Sequence, residues 1–534
     1  MKKNIMRLVS LIMALVMMLS LVACGDNSEK TEGGETEKSE TQTPTGEIVS
    51  AKDTFKLGMS AEPTSMDPAQ SKDLVTWMFM LQTYDTLIKY DWEKQQYVPA
   101  LASEWKVNAD STEVEFTIRE DITFHNGEKM TMDDVIFSLE RALNSTFTAQ
   151  INGSIDHFEK IDETHLKVVL KYGYAPILEV LVTPCWGIVS KKAVEECEAK
   201  GEDFGRIACG TGAYKLKEWK SGEKLVFEAF DNYYGGKPYV QNIEAMLIAD
   251  QSSGAIALEN GTLDYYYGVQ SSDIAHLKDV PSLKVYTIDT GVGLYDITFN
   301  VNEGIFSDVK LRQAVAYALD RDEILLGGQE GNGVVNDCFC ATAAFGYLPD
   351  FKWYEQDLDK AKELMTEAGY PNGFDVVFTQ DSSKTYMTSA EIMQAQLKKV
   401  GINVTFEKLE RATWLDTVAS NRQFLASLRM TNHVVNDADY ILTRRLTSSM
   451  IGGGNNYSGY SNPEFDALVE KARTSSNEQE RLDLYRQCYE MIKEDVPAIP
   501  LYTTNSQQVV SAKLQGWIAH PMNRNPWCNI WFEK

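Results

Sequence analysis

The sequence predicts an α/β or mixed α+β chain folded in several lobes, and three observations predict it. The chain has 534 residues, 43% of them hydrophobic and 24% charged, which suits several ordinary globular domains. Segments that alternate apolar and polar residues interleave with segments whose apolar residues recur every three or four positions. No internal repeat, coiled-coil heptad or second long apolar run is present, which excludes solenoid, fibrous and multi-span membrane architectures. The 51 Lys+Arg against 77 Asp+Glu give a net charge of −26. So acidic a chain repels nucleic acid, whose affinity for proteins comes mainly from basic side chains neutralising phosphates. No nucleic-acid partner is expected.

The elements follow in chain order. Lys2, Lys3 and Arg7 make a basic start, and Leu8 to Ala23 is apolar apart from Ser10 and Ser20. A bilayer-crossing helix needs about 20 residues. This shorter run reads as a secretory signal peptide over residues 1–23. It ends Leu21-Val22-Ala23-Cys24-Gly25, which matches the bacterial lipobox. Cys24 is therefore the expected lipidated N-terminus, and two acyl chains hold a protein at a membrane far better than one. Residues 24–50, rich in Glu, Thr, Ser, Gly and Lys, cannot build a core and predict a disordered acidic tether. The expected location is extracytoplasmic, anchored to the cell membrane.

Phe55 to Met59 alternates like a strand and is broken by Ala61-Glu62-Pro63. Glu113 to Arg119 alternates with its apolar residues on one face, and Asn126-Gly127 makes a turn. Thr131 or Asp133 opens a helix carrying Val135, Ile136, Leu139 and Leu143. Asp308 precedes another with Leu311, Val315 and Leu319. Ala361, Leu364, Met365 and Ala368 form a stripe stopped by Gly369 and Pro371. Asn462 suits a cap and Pro463 a first turn, ahead of Phe465, Leu468, Val469 and Ala472 on one face.

Motifs for catalysis are missing. The six His form no HExxH, and there is no GxSxG and no P-loop lysine. Gly210-Thr211-Gly212 lacks the third Gly of a dinucleotide fingerprint, and Gly452-Gly453-Gly454 reads as a flexible loop. Besides Cys24, the chain carries Cys185, Cys197, Cys209, Cys338, Cys340, Cys488 and Cys528, in no zinc-site spacing. Buried thiols and a Cys185–Cys209 disulfide are both open readings, and Cys338 and Cys340 share a face if that segment is a strand. No catalytic residue, metal or cofactor is expected, and the chain reads as a non-enzyme.

From Leu101 to Gly127 the chain reads LASEWKVNADSTEVEFTIREDITFHNG. This resembles the signature of family-5 extracellular solute-binding proteins, the peptide- and nickel-binding components of ABC importers. Four further segments agree in order: Ala61-Glu62-Pro63 to Met66-Asp67-Pro68, Gly210 to Trp219, Phe299 to Arg321, and Pro497 to Tyr502. The resemblance implies a periplasmic-binding-protein-like two-lobed fold (type II, cluster C) with an extra inserted domain. It implies a first lobe from 54–90, 206–288 and 498–534, an inserted domain at 91–205, and a ligand-binding second lobe at 289–497. Chain crossings near Asp289 and Ile499 would act as hinges. It also implies a monomer that delivers a peptide or other small polar ligand to an ABC permease and ATPase complex. A non-peptide ligand, such as an oligosaccharide or metal chelate, and a surface sensor or adhesion protein are the alternatives.

One stretch departs from the family pattern. Peptide-binding members usually carry a Trp, then an Asp that pairs with the peptide's α-ammonium, then a second acid before Pro. Aligned on Asp437 and Leu442, Thr431 falls where Trp is usual and Val434 where the amine-pairing Asp is usual. A buried ligand charge needs a partner. Amine capture at this position is therefore lost unless Asp437 or Asp439 has moved into its place. Thr431, Asn432, His433, Val434, Asp437 and Asp439 are the expected ligand-contacting stretch, with Glu62, Trp186, Trp414 and Tyr502 as further cleft candidates.

Overall fold

The helices start where the sequence places their caps. In this computed structural model, which describes residues 48–534 except 72, 150 and 453, Thr131 caps Met132–Leu143. Its hydroxyl accepts from the Asp134 N–H while the Asp134 carboxylate accepts from the Thr131 N–H, a complete capping box. Asp308 caps Val309–Ala318 by accepting from the Lys310 N–H, and Asn462 caps Pro463–Thr474 by accepting from the Glu464 and Phe465 N–H groups. Each cap contributes about 1 kcal/mol by satisfying an otherwise orphaned amide. The Leu358–Glu367 helix buries Ala361, Leu364 and Met365 and is followed by Gly369 at a φ of 88°. Residues 1–23, Cys24, most of the tether and Gly453 lie outside the described residues. No helix among the described residues is long and apolar enough to cross a membrane.

Three larger sheets, beside three two-stranded ones, organise the described residues of Val49–Lys534. The largest has seven strands in the order Leu283–Ile288, Ser506–Ser511, Tyr265–Tyr267, Thr54–Met59, Asn242–Leu247, Lys224–Ala229 and Tyr214–Lys220. Thr54–Met59 runs parallel to both its neighbours, and the remaining pairs are antiparallel. A four-stranded antiparallel sheet contains Ala102–Val107, Glu113–Ile118, His165–Leu170 and Ile155–Lys160. Val114, Phe116 and Ile118 point into its core, as the alternation requires. A second four-stranded antiparallel sheet has the order Val334–Val335, Ala498–Thr503, Gly293–Phe299, Ala426–Asn432. The chain passes from the first sheet to this last one through residues 289–292 and returns through 504–505. Ile499 sits inside the Ala498–Thr503 strand, paired with Ile297.

Two large apolar clusters follow the sheets, with two smaller ones beside them. One joins Phe55, Phe79, Phe227 and Trp527 to Phe116, Phe158 and Trp186. The other gathers Ile297, Phe299, Phe306, Val315, Tyr485 and Ile499. The GxG of the sequence is a packing device. A Cβ on Gly210 would lie 2.2 Å from the Thr83 carbonyl, and one on Gly212 would lie 2.5 Å from that of Gln82. His125, from the signature segment, bonds the Gly212 carbonyl through Nε2 at 2.9 Å, so two segments of the resemblance brace each other. The segment 338–340 is a bend rather than a strand. Every described cysteine is a free thiol, so the Cys185–Cys209 pairing is absent. All but Cys528 are buried, and burial pushes thiols such as Cys185 up to about 12.

Candidate functional site

The expected ligand stretch is half strand and half loop. Ala426–Asn432 lies at the sheet edge and pairs with Gly293–Phe299 from Gly293↔Asn432 to Phe299↔Ala426. It then turns to Asp437, which caps the helix Ala438–Leu446 by accepting from the Asp439 N–H at 2.9 Å.

Both acids in this stretch already hold cations. The Asp437 oxygens accept from Arg481 Nη2 at 2.9 and 2.8 Å, and the Tyr485 hydroxyl donates to Oδ1 at 2.7 Å. Asp439 accepts from Arg473 Nε at 3.1 Å and from the Thr443 hydroxyl at 2.9 Å. Burial raises the Asp439 carboxyl, and Arg473 opposes that. Neither carboxylate is spare for an incoming ammonium.

The neutral members of the stretch are less fully used. Thr431 Oγ1 accepts from Arg445 Nη1 at 3.0 Å and from Arg429 Nη2 at 3.3 Å. Asn432 is exposed. His433 is fully buried, and its Nε2 accepts from the Ala341 N–H at 3.2 Å, which leaves the proton on Nδ1. That Nδ1 has no partner, and burial lowers the ring to about 3, so it is neutral. Val434 is half-buried, and its carbonyl accepts from Arg524 Nη2 at 3.3 Å. Asn436 Oδ1 is buried without a partner.

Arg429 was not singled out in the sequence and is the most exceptional residue here. It is buried, its Nε and Nη1 have no partner, and its guanidinium lies over the Tyr457 ring at 4.1 Å. Its register partner is Asp296, yet that carboxylate accepts from Arg445 Nη1 and Nη2 at 2.7 and 2.6 Å. Burial pulls Arg429 down to about 9, with Arg445 adding repulsion, and it is still a cation at neutral pH. A charged residue inside an otherwise buried strand, Ala426-Ser427-Leu428-Arg429, is the signal that could have found it.

The other candidates fall in different places. Trp414 is buried with Val418, Phe424 and Tyr457, and its Nε1 donates to Ser427 Oγ at 3.0 Å, beside the stretch. Tyr502 is fully buried, stacked on Tyr295 at 4.8 Å, with its hydroxyl 2.9 Å from that of Ser389. Glu62 accepts from Trp219 Nε1 and from the Gly222 N–H, which ties the loop after Thr54–Met59 to a neighbouring hairpin. Trp186 is packed edge-on to Phe158 in the first apolar cluster.

Two cavities lie near the loop: one is lined by its Asn436 and Asp437, and the other is reached from it through Arg524, which holds the Val434 carbonyl. One of about 720 Å³ is bordered by Tyr97 and Glu179 on one side and by Phe345, Asn436 and Arg481 on the other. A second of about 360 Å³ is bordered by Lys89, Trp92, Glu179, His520 and Arg524. Glu179 lines both. No group of His, Cys, Asp or Glu among the described residues could hold a metal ion.

Comparison with known proteins agrees with this architecture. Residues 96–453 match the family described as bacterial extracellular solute-binding proteins, family 5 middle. The chain is 26% identical to oligopeptide-binding protein AppA of Bacillus subtilis, over 97% of this chain and 97% of that protein. It is 26% identical to heme-binding protein A of Haemophilus influenzae, over 94% of this chain and 95% of that protein. The solved structure of HbpA2 from Haemophilus parasuis superposes with a TM-score of 0.82 at 24% identity, over 90% of this chain and 100% of that one. The fold is that of the periplasmic binding proteins.

Proposed function

This chain belongs to the family 5 bacterial extracellular solute-binding proteins, and from that premise we propose that it is the lipid-anchored substrate-binding component of an ABC importer. It captures an oligopeptide or similar polar solute between two lobes and delivers it to the permease. One observation carries the reading. Arg429, His433 and Asn436, on a single stretch, keep buried polar atoms without protein partners. Buried polar groups are normally paired, and each unpaired one costs about 1–3 kcal/mol. A solute that supplies the missing partners recovers that cost on binding. A carboxylate or other anionic oxygen suits Arg429, and an acceptor suits His433 Nδ1.

The lobes close about the passages at 289–292 and 504–505, which carries the second lobe to Thr503 rather than to 497. Cys24 carries the lipid. No step of the proposal makes or breaks a covalent bond in the solute. Native mass spectrometry of the purified protein tests the reading: a co-purifying small molecule released on unfolding is expected, and its absence across independent preparations refutes it. Cys24→Ala should release the protein from the membrane or leave it unprocessed. A non-peptide solute is the second reading. Val434 favours it, since this residue cannot pair with a peptide ammonium, and one relative is named for binding heme.

A further inference from the structure

The inserted domain and the second lobe touch away from the passages that join the lobes. The chain crosses at 289–292 and 504–505, so every other contact between the lobes must part when they open. One such contact is a backbone bond, in which the Ala175 N–H donates to the Arg473 carbonyl at 2.8 Å. That carbonyl is one of the last four of the helix Pro463–Thr474, which find no partner inside their own helix. Two of its neighbours are met within the second lobe, Lys471 by the Ser475 N–H and Ala472 by Arg481 Nε. The Arg473 carbonyl is met from across the gap.

Side chains meet beside that bond. The Arg473 guanidinium lies over the Tyr172 ring at 5.7 Å, while its Nε donates to Asp439 of the 431–439 stretch at 3.1 Å. Val435 and Tyr440 of the second lobe, 1% and 9% exposed, are buried in the apolar cluster that the first lobe and the inserted domain form. Val434 packs against the same cluster. Ile151, Tyr172 and Tyr174 line a space of about 190 Å³ together with Val435 and Tyr440, a volume below that of ligand cavities. From the first lobe, Arg524 holds the Val434 carbonyl at 3.3 Å.

We propose that residues 172–175, the stretch 434–440 and Arg473 form a latch that holds the lobes shut through protein contact alone. The latch presupposes the lobe motion proposed above and adds to it a shut state that needs no solute. Apolar side chains buried when the lobes are shut meet water when they open, so closure carries its own driving force. The hydrogen bond adds direction more than strength, because water replaces it in the open form. Val434 belongs to this balance. An acid at that position would need a partner, whereas a valine packs onto the facing cluster. A solute then enters through a minor open population, and its apparent affinity is reduced by the fraction that is open. Opening precedes binding, and the latch sets how often it happens.

Hydrogen exchange on the full-length protein tests the latch. The protein is unfolded in guanidinium, dialysed free of small molecules and refolded, and native mass spectrometry checks that it is empty. The Ala175 amide is then followed in a short peptide. It should exchange slowly in the empty parent, as a bonded amide does. Tyr172→Ala and Val435→Ala should each speed it by about tenfold, since losing one large apolar contact raises the open population by about that factor. The Gly293–Phe299 strand, inside the second lobe, should keep its protection in both variants. Tyr172 is 38% exposed, so its variant spares the fold of the inserted domain.

Small-angle scattering gives a second measure. The empty parent should be compact, and the double variant Tyr172→Ala/Val435→Ala should have a larger radius of gyration. An empty parent that is already expanded, with Ala175 unprotected, overturns the latch, and so does a double variant as compact as the parent. Faster exchange that reaches Gly293–Phe299 equally reports loss of the second lobe's own fold and also overturns it. If the latch falls while a small molecule co-purifies with the native protein, solute binding stands. If the latch holds and no small molecule is found, the solute-binding reading falls alone.

Discussion

The two walls around the Thr431–Asp439 stretch treat charge in opposite ways. Below it, Asp437–Arg481, Asp439–Arg473 and Asp296–Arg445 are close pairs, and Tyr485 bonds both members of the first while Thr443 bonds both members of the second. Across from it, Glu179 and Arg524 face a cavity without pairing; on the near wall Arg429 is the exception, beside the buried Asp296–Arg445 pair with two nitrogens unmet. Buried pairs fix the shape of the loop, because breaking one strands a charge. Unpaired charges do little for shape and are kept at a cost. The difference separates charges committed to holding the loop from charges left without a partner, a distinction that residue type alone does not make.

Breaking a pair should give the largest effect. Arg481→Met leaves Asp437 buried with Tyr485 as its main partner and should cost about 3–5 kcal/mol by denaturant unfolding. A loss under 1 kcal/mol would show that the two walls do not differ. Removing an unpaired cation should behave differently. Arg429→Met should leave the ligand-free protein as stable as the parent or more so, while weakening the co-purifying solute by about tenfold to a hundredfold in calorimetry. A large drop in stability with binding intact would place Arg429 among the building residues.

Glu179 sharpens the contrast through pH. Burial raises its carboxyl from 4.5 to about 7. Between those values the folded state holds a proton that the unfolded state has released, so its contribution to stability falls as pH rises through this window. Glu179→Gln should therefore match the parent near pH 4.5 and exceed it above about 7 in paired thermal melts. The histidines run the other way. His433 is lowered from 6.5 to about 3 and His125 to about 4, so their contribution is full above 6.5 and is lost as pH falls. His433→Gln should flatten part of that acid limb, the smallest of the four effects.

Much of the frame was legible because its causes are local. Thr131, Asp308 and Asn462 cap the next few amides, and the alternation of Glu113 to Ile118 needs only one buried face. The departure of residues 431–439 from the family pattern could be located by its odd residues, and Val434 lies in the loop between strand and helix. The roles of its acids could not be read. Arg481 lies 44 positions from Asp437, and Arg524 lies 90 from Val434. No periodicity reports which distant cation a carboxylate will meet. Trp414 and Tyr502 looked like cleft aromatics because aromatic side chains serve equally in cores, and only packing shows that both are buried.

The seven-stranded sheet has a consequence for how the chain is made. Its central strand, Thr54–Met59, emerges early, but Ser506–Ser511 must slot between Tyr265–Tyr267 and Leu283–Ile288 before the sheet is whole. During synthesis those two strands wait as bare edges for more than two hundred residues of chain to follow, and bare edges recruit other strands. The sheet that synthesis begins is thus among the last parts it can finish, and a ribosome that stops short of Ser506 leaves a product with sticky edges rather than a smaller working protein.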